Sequence, residues 1–112
     1  MGPATLTRMI RFLVVYETPA DPAAFDAHYR DVHIPLAKKL PGLRRYTISR
    51  DAAAVRGGDP FYLVAELDWD DMASLQAAFA SPEGRATAAD VAELAPEGGV
   101  RSVVFEVEDV WP

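Results

Sequence analysis

The segment that decides the fold is residues 29–46, with the sequence YRDVHIPLAKKLPGLRRY. It continues an amphipathic helix, because apolar residues recur at helical spacing from Phe25 onward. Pro35 disfavours α geometry at the residue before it, so we expect a break or kink near His33 and a short helical turn through Leu40. A Pro-Gly pair then ends the helix, and the residues that follow alternate as those of a strand do.

Working outward from this segment, the sequence predicts four strands. Residues 9–17 are rich in β-branched and aromatic side chains, and residues 44–50 alternate. Residues 61–69 are apolar on both faces except for two acidic residues, and residues 101–110 carry a last apolar alternation. The second and third strands are close enough in sequence to form a hairpin with a long loop.

Helices are predicted between these strands. Asp21 is a good N-cap for a helix that begins at Pro22, and Asp70 or Asp71 caps another. Ser81 and Pro82 end that helix and start one more, which runs to about residue 94. The order β-α-β-β-α-β predicts an α+β protein of ferredoxin-like fold, with a four-stranded antiparallel sheet and helices packed on one side.

Length and composition indicate one globular domain. The chain has 112 residues, of which 50% are hydrophobic and 25% charged, and we assign residues 9–112 to the domain and residues 1–8 to a flexible lead-in. No cysteine is present, which excludes disulfides, thiolate metal sites and a cysteine nucleophile. The first residues do not form a signal-peptide pattern, so a cytoplasmic protein is expected.

Charge and hydropathy argue against two classes of partner. The formal net charge of −6, without a basic run longer than a pair, would repel phosphate backbones, so no nucleic-acid partner is predicted. No apolar stretch approaches the roughly 20 residues that cross a bilayer, so no membrane partner is predicted either. Tyr16, Val64, Phe105 and their alternating partners place apolar groups on both faces of the strands. One apolar sheet face would then lie outside the helices, and a homodimer would bury it.

The deciding segment resembles the EthD family, whose members carry a similar Tyr…His-x-Pro-Leu, Leu-Pro-Gly-Leu, Tyr pattern. Residues 63–69 and 75–84 are similar as well, so that the resemblance covers roughly residues 9–110. It implies a dimeric α+β barrel, a superfamily with small-molecule isomerases, polyketide cyclases and cofactor-free monooxygenases among its members. EthD itself is often catalogued as a reductase or oxidoreductase.

A methylmuconolactone methylisomerase branch of this superfamily carries a histidine and a tyrosine at the positions of His33 and Tyr46. That branch also uses a cysteine in its third strand, where this chain has Glu66 and Leu67. The resemblance therefore implies a pocket around the histidine, but this chain lacks the thiol of that isomerase mechanism.

His33 and Tyr46 are the candidate catalytic residues. A neutral imidazole can take or give a proton near physiological pH, which suits enolisation, lactone chemistry or cyclisation. Tyr46 and Tyr29 could donate hydroxyl hydrogen bonds to a substrate oxygen. The alternatives are that His33 only caps a kinked helix and that the tyrosines are ordinary core residues.

Four residues are candidates for substrate binding. Tyr29 would orient the substrate, and Trp69 and Phe79 would supply apolar wall. Glu66 lies in mid-strand among apolar residues and could serve as an acid or base if buried, or could pair with an arginine. Arg44 or Arg45 could hold a substrate carboxylate or take part in a surface ion pair.

No cofactor or metal is predicted. His28 and His33 are five residues apart, about 140° around an ideal helix, which is a poor metal-ligand arrangement. The pair Gly57-Gly58 lacks the context of a phosphate loop. The leading hypothesis is a cofactor-independent oxidoreductase, isomerase or cyclase for a small oxygenated or aromatic molecule. A non-catalytic binding or stability partner of a neighbouring oxidoreductase and a purely structural dimer are the alternatives.

Overall fold

The computed structural model describes residues 9–112, and the lead-in assigned to residues 1–8 lies outside the described part. Four strands form one antiparallel sheet in the spatial order β2-β3-β1-β4. Their bounds are Met9–Tyr16 for β1, Arg45–Arg50 for β2, Leu63–Trp69 for β3 and Val100–Val107 for β4. This order confirms the ferredoxin-like α+β fold, with β2 and β3 forming the long-looped hairpin.

The helices begin where the sequence places their caps. Helix α1 spans Pro22–His28, α2 spans Ile34–Ala37, α3 spans Met72–Ala80 and α4 spans Pro82–Leu94. The side chain of the residue before α1, α3 and α4 accepts a backbone N–H in each case, and these caps are Asp21, Asp71 and Ser81.

Between α1 and α2 the helix widens instead of breaking. Tyr29–His33 form a π-helical turn, in which the N–H of Ile34 bonds to the carbonyl of Tyr29 five residues earlier. Pro35 has no N–H to give, and its ring would clash with the carbonyl four residues back in a regular helix. One wide turn relieves this clash, so the expected kink at His33 is corrected to a π-helical turn.

The register of the sheet separates two faces. Tyr16 of β1 is paired with Leu63 and Val100, and Tyr46 of β2 with Leu67, so all five point towards the helices. The buried core lies between this face and the helices. No helix in residues 9–112 has the length and apolar character needed to span a membrane.

The opposite face of the sheet is exposed in the single chain, and we call it the outer face. Val103 and Phe105 of β4 lie on it and are 53% and 39% exposed. In the middle of the outer face, the Arg11 guanidinium lies 2.8 Å from Asp68 and 3.1 Å from Glu66.

Trp69 connects β3 to the turn that follows α2. Its indole N–H donates to the carbonyl of Pro41 at 2.9 Å, and the side chain is fully buried. Gly42 in this turn has φ +73, and a Cβ on it would lie 3.3 Å from the indole Cδ1. A side chain at that position would therefore be strained as well as crowded.

Candidate functional site

A cavity of about 320 Å³ lies between the inner face of the sheet and the helices, and we call it the inner cavity. Most of its wall is apolar, and the polar exceptions are few. That combination, at the small end of the range of ligand pockets, is typical of a site for a small organic molecule. Its polar lining side chains are Tyr16, Tyr29, His33, Tyr46, Thr87 and Ser102.

His33 is held by an aspartate of α4. Its Nδ1 lies 2.9 Å from Oδ2 of Asp90, and His33 is only 5% exposed. Burial lowers the pKa of His33, and the Asp90 carboxylate only partly offsets this effect. Burial would raise the pKa of Asp90, but the hydrogen bonds from His28 and His33 outweigh it and leave that pKa below its usual value.

These two shifts define the protonation state of the pair. An ionised carboxylate only accepts hydrogen bonds, so Nδ1 of the neutral His33 carries the proton and donates it to Asp90. Nε2 then presents a lone pair. This nitrogen has no hydrogen-bond partner among residues 9–112. Every side-chain nitrogen or oxygen in that range that solvent cannot reach does have a partner, so Nε2 must be accessible from a cavity or the surface. We therefore infer that Nε2 opens into the inner cavity that His33 lines.

Asp90 also binds a second histidine. The Nε2 of His28 lies 2.7 Å from Oδ1 of Asp90, so both carboxylate oxygens are occupied by imidazole nitrogens. An ideal α-helix would separate His28 and His33 by about 140°. The π-helical turn brings them to one acceptor because its repeat is closer to five residues, an arrangement that the ideal-helix spacing did not predict.

Two tyrosine hydroxyls meet at the inner cavity. The hydroxyl oxygens of Tyr29 and Tyr46 are 2.6 Å apart, so one donates to the other. Burial raises the pKa of both, so both stay protonated at neutral pH. The hydroxyl that accepts within the pair keeps its own proton free for a ligand oxygen. Burial also raises the pKa of Tyr16, another lining tyrosine.

Phe79 lines the inner cavity, and Trp69 does not. The ring of Phe79 packs edge-on against Phe12, with 4.9 Å between centroids, and against Trp69, with 5.9 Å. Trp69 therefore lies behind Phe79 and supports the wall from outside. Gly84 of α4 also lines the cavity, and a Cβ on it would lie 2.1 Å from the carbonyl oxygen of Ala78.

Glu66 and the two arginines lie away from the inner cavity. Glu66 projects from the outer face and pairs with Arg11, because the register of β3 sends it opposite to its neighbours Ala65 and Leu67. Arg44 forms an exposed ion pair with Asp70 at 2.8 Å. Arg45 lies opposite Asp68 and shares its outer-face orientation. The sequence-based assignment of Glu66 to the pocket is therefore corrected.

Asp90 is the main functional candidate that the sequence reasoning missed. It lies on α4 three residues after Thr87 and four before Leu94, at the border of the face that lines the cavity. The sequence signal for Asp90 was its helical spacing from the residues of α4 that face inward, since an acidic residue at that spacing lies near the core. Because both of its oxygens bind imidazoles, the three groups point at one another and not at a shared point where a metal ion could sit.

A sequence profile of the EthD domain matches residues 17–97. The chain belongs to the EthD family. An EthD family protein from Bacillus halodurans C-125 has the same fold, with a TM-score of 0.81 and 36% identity over 88% of this chain and 98% of that one. An uncharacterized 11.0 kDa protein from the thcB-thcC intergenic region of Rhodococcus erythropolis is 42% identical over 93% of this EthD chain and 100% of its own length.

More distant solved structures share the fold of this EthD protein. SnoaB, a cofactor-independent oxygenase from Streptomyces nogalater, has a TM-score of 0.65 and 20% identity over 94% of this chain and 98% of its own. Three further structures, at 18%, 14% and 24% identity, are described as dimeric proteins of ferredoxin-like fold and unknown function. At these identities the likeness concerns the fold alone.

Proposed function

We propose that this EthD protein binds a small phenol or enolisable carbonyl compound in the inner cavity and moves a proton on it without a cofactor. One observation carries the proposal. An imidazole held by a carboxylate lines a mostly apolar cavity, and a pair of hydrogen-bonded tyrosines lines the same cavity. In this arrangement His33 is the acid and base, and Tyr46 and Tyr29 bind the substrate oxygen.

The chemical step follows from the hydrogen bonds. Nε2 of His33 takes a proton from the hydroxyl of a phenol, or from the carbon beside a carbonyl, and the electron pair left behind collects on the substrate oxygen. The free hydroxyl of the Tyr29 and Tyr46 pair donates to this oxyanion. Asp90 accepts from Nδ1 throughout and stabilises the imidazolium.

The proton on Nε2 then returns to the substrate. Its return to a different atom completes an isomerisation or cyclisation, and the enzyme ends in its starting state. Proton removal is also the first step of a cofactor-independent oxidation, in which dioxygen would convert a CH2 group of the substrate into a carbonyl and its second oxygen atom would leave as water. The apolar wall that includes Phe12, Phe79 and Val91 favours a flat ring or short chain over a strongly polar substrate.

We propose in addition that the protein works as a homodimer through the outer face. Support comes from the exposed apolar side chains there, which include Val103 and Phe105, and from the dimeric structures that share the fold. A second copy is the natural partner because the face is antiparallel sheet throughout, and two such faces can pack on each other.

A chromogenic phenol tests the proton transfer directly. 4-Nitrophenol and its ring-substituted relatives absorb differently as phenols and phenolates, so the spectrum of the bound compound reports its charge. At a pH below the ionisation midpoint of the free compound, we expect the wild-type protein to bind it as the phenolate. His33→Gln should bind it as the neutral phenol.

Tyr62→Phe is the control for this experiment. It removes a hydroxyl that hydrogen-bonds Asp26 at 2.8 Å, and Tyr62 does not line the inner cavity. We expect this variant to ionise the phenol as the wild type does. If the wild type binds the phenol in its neutral form, the proposed proton transfer is contradicted. The alternative, a non-catalytic binding partner of an oxidoreductase, would then remain, and the largely apolar wall is compatible with it. No binding by any compound of the panel would contradict both.

A further inference from the structure

We propose that His28 is a positioning residue, which acts through Asp90 to set the orientation and the basicity of His33. The inference rests on the proposed function, since it gives a base at His33 a second imidazole that controls it. His28 itself does not touch the substrate, because it lies outside the inner cavity.

The geometry of the three side chains is the first argument. A carboxylate that accepts only one hydrogen bond can rotate about its Cβ–Cγ bond. Asp90 accepts at Oδ1 from His28, at 2.7 Å, and at Oδ2 from His33, at 2.9 Å. Two bonds to opposite oxygens fix the carboxylate plane, and that plane in turn holds Nδ1 of His33.

The position of Asp90 between two cavities is the second argument. A separate cavity of about 390 Å³ is lined by His28 together with residues 17–21 and 93–96. We call it the outer cavity; none of the strand residues in the described part of the chain lines it, so it is distinct from the outer face of the sheet. The side chain of His28 is 32% exposed, whereas those of His33 and Asp90 are nearly buried. Asp90 thus joins a solvent-accessible imidazole to the enclosed one.

The other titratable groups near His28, Asp90 and His33 line the two cavities. Tyr16 of β1, Tyr29 of the π-helical turn and Tyr46 of β2 line the inner cavity with His33. Glu17, Asp21 and Glu93 line the outer cavity with His28. Only the two histidines hydrogen-bond to Asp90 among residues 9–112, so the coupling runs through that carboxylate.

The sign of the coupling follows from the shared charge. His28 lowers the pKa of His33, while Asp90 raises it. A proton on His28 would strengthen its bond to Oδ1 and draw negative charge away from Oδ2, which makes His33 a weaker base. Removing His28 would leave the carboxylate charge to His33 alone, and His33 would bind a proton at higher pH.

Imidazole NMR measures this coupling without any substrate. In wild type, the ring signals of His33 should show two inflections during a pH titration, as expected for an imidazole whose ionisation is coupled to that of another group. His28→Phe removes the donor and should raise the midpoint of His33 by about half a pH unit or more. His28→Gln keeps an amide N–H for Oδ1 but cannot take a proton, so it should shift the His33 midpoint less than His28→Phe does and leave a single inflection.

The outcomes separate this inference from the proposed function. A single inflection in wild type, or equal His33 midpoints in wild type and His28→Phe, overturns the role of His28. A shift in His28→Gln as large as in His28→Phe would overturn it too, because the amide should rescue. If 4-nitrophenol stays neutral on a wild-type protein whose histidines are coupled, the proposed reaction fails while the positioning role stands.

Discussion

Burial lowers the pKa of the His33 imidazole and the Asp90 carboxylate raises it, and burial has the larger effect. The neutral ring is therefore the native form near pH 7, as a base requires. The neighbouring Tyr29 and Tyr46 are kept protonated by the same burial. The same apolar surroundings thus favour an imidazole that can accept a proton and, beside it, hydroxyls that can donate hydrogen bonds.

The depressed pKa of His33 makes the stability of the fold depend on pH. An exposed histidine in the unfolded chain binds a proton below about pH 6.5, whereas the buried ring resists until a lower pH. The free energy of unfolding should therefore fall as the pH drops from 7.5 to 5.5. Urea denaturation at the two pH values measures this loss, and His33→Gln should show a smaller one. An equal loss in both proteins would contradict the assignment.

Tyr46→Phe should weaken the binding of a phenolate without unfolding the protein. The substitution removes one hydroxyl of the pair with Tyr29, and a hydrogen bond to a charged group contributes about 1.5–3 kcal/mol. We therefore expect at least about a tenfold rise in Kd for ionised 4-nitrophenol. Tyr62→Phe is the control, because Tyr62 also hydrogen-bonds a side chain, Asp26, but lies away from the inner cavity. Equal affinities for the two variants would exclude Tyr46 from the site.

At the scale of the elements, the strands and caps were predictable from local patterns, and the π-helical turn was not. Alternation and N-cap chemistry act within a few residues, so the bounds of β1 and the caps Asp71 and Ser81 agree with the sequence. Pro35 signalled a local disturbance, but a proline can be accommodated by a break, a kink or a wider turn. The choice depends on the contact with α4, through Asp90, which lies 57 residues away from His33.

Pro35→Ala tests whether proline maintains the wide turn. Alanine supplies an N–H and removes the ring, so Tyr29–His33 should tighten towards an α-helix. His28 and His33 would then rotate apart, and one of them should lose its bond to Asp90. The prediction is a single inflection in the His33 titration, with thermal stability unchanged or higher. Retention of two inflections would show that the contacts of Asp90 alone hold the turn.

For the whole molecule, the sequence predicted the topology better than the site. The strand order could be predicted from the order of the elements and from the apolar faces, and both can be read from the sequence. The orientation of a single residue within a strand depends on register. Glu66 was placed in the pocket for this reason, although it lies with Arg11 on the outer face. Trp69 was assigned to the pocket wall although it lies behind Phe79, because burial alone does not distinguish a residue that lines a cavity from one packed behind the lining.

Val103→Glu tests the proposed homodimer. Val103 is exposed on the outer face, so a carboxylate there would have to be buried on dimer formation. We expect sedimentation equilibrium to give a dimer for wild type and a monomer, or a dimer at least tenfold weaker, for the variant. Val55→Glu is the matched control, since Val55 is fully exposed in the loop between β2 and β3. A dimer of wild-type strength in Val103→Glu would remove the outer face as the interface.

The burial of Trp69 behind Phe79 gives the protein an internal optical probe. The only other tryptophan, Trp111, is 89% exposed near the end of the chain, so the two indoles occupy opposite environments. Trp69 should emit at shorter wavelength and resist quenching by acrylamide, and Trp111 should do neither. A compound that displaces the Phe79 ring on entering the inner cavity would therefore alter the blue, unquenched part of the fluorescence alone.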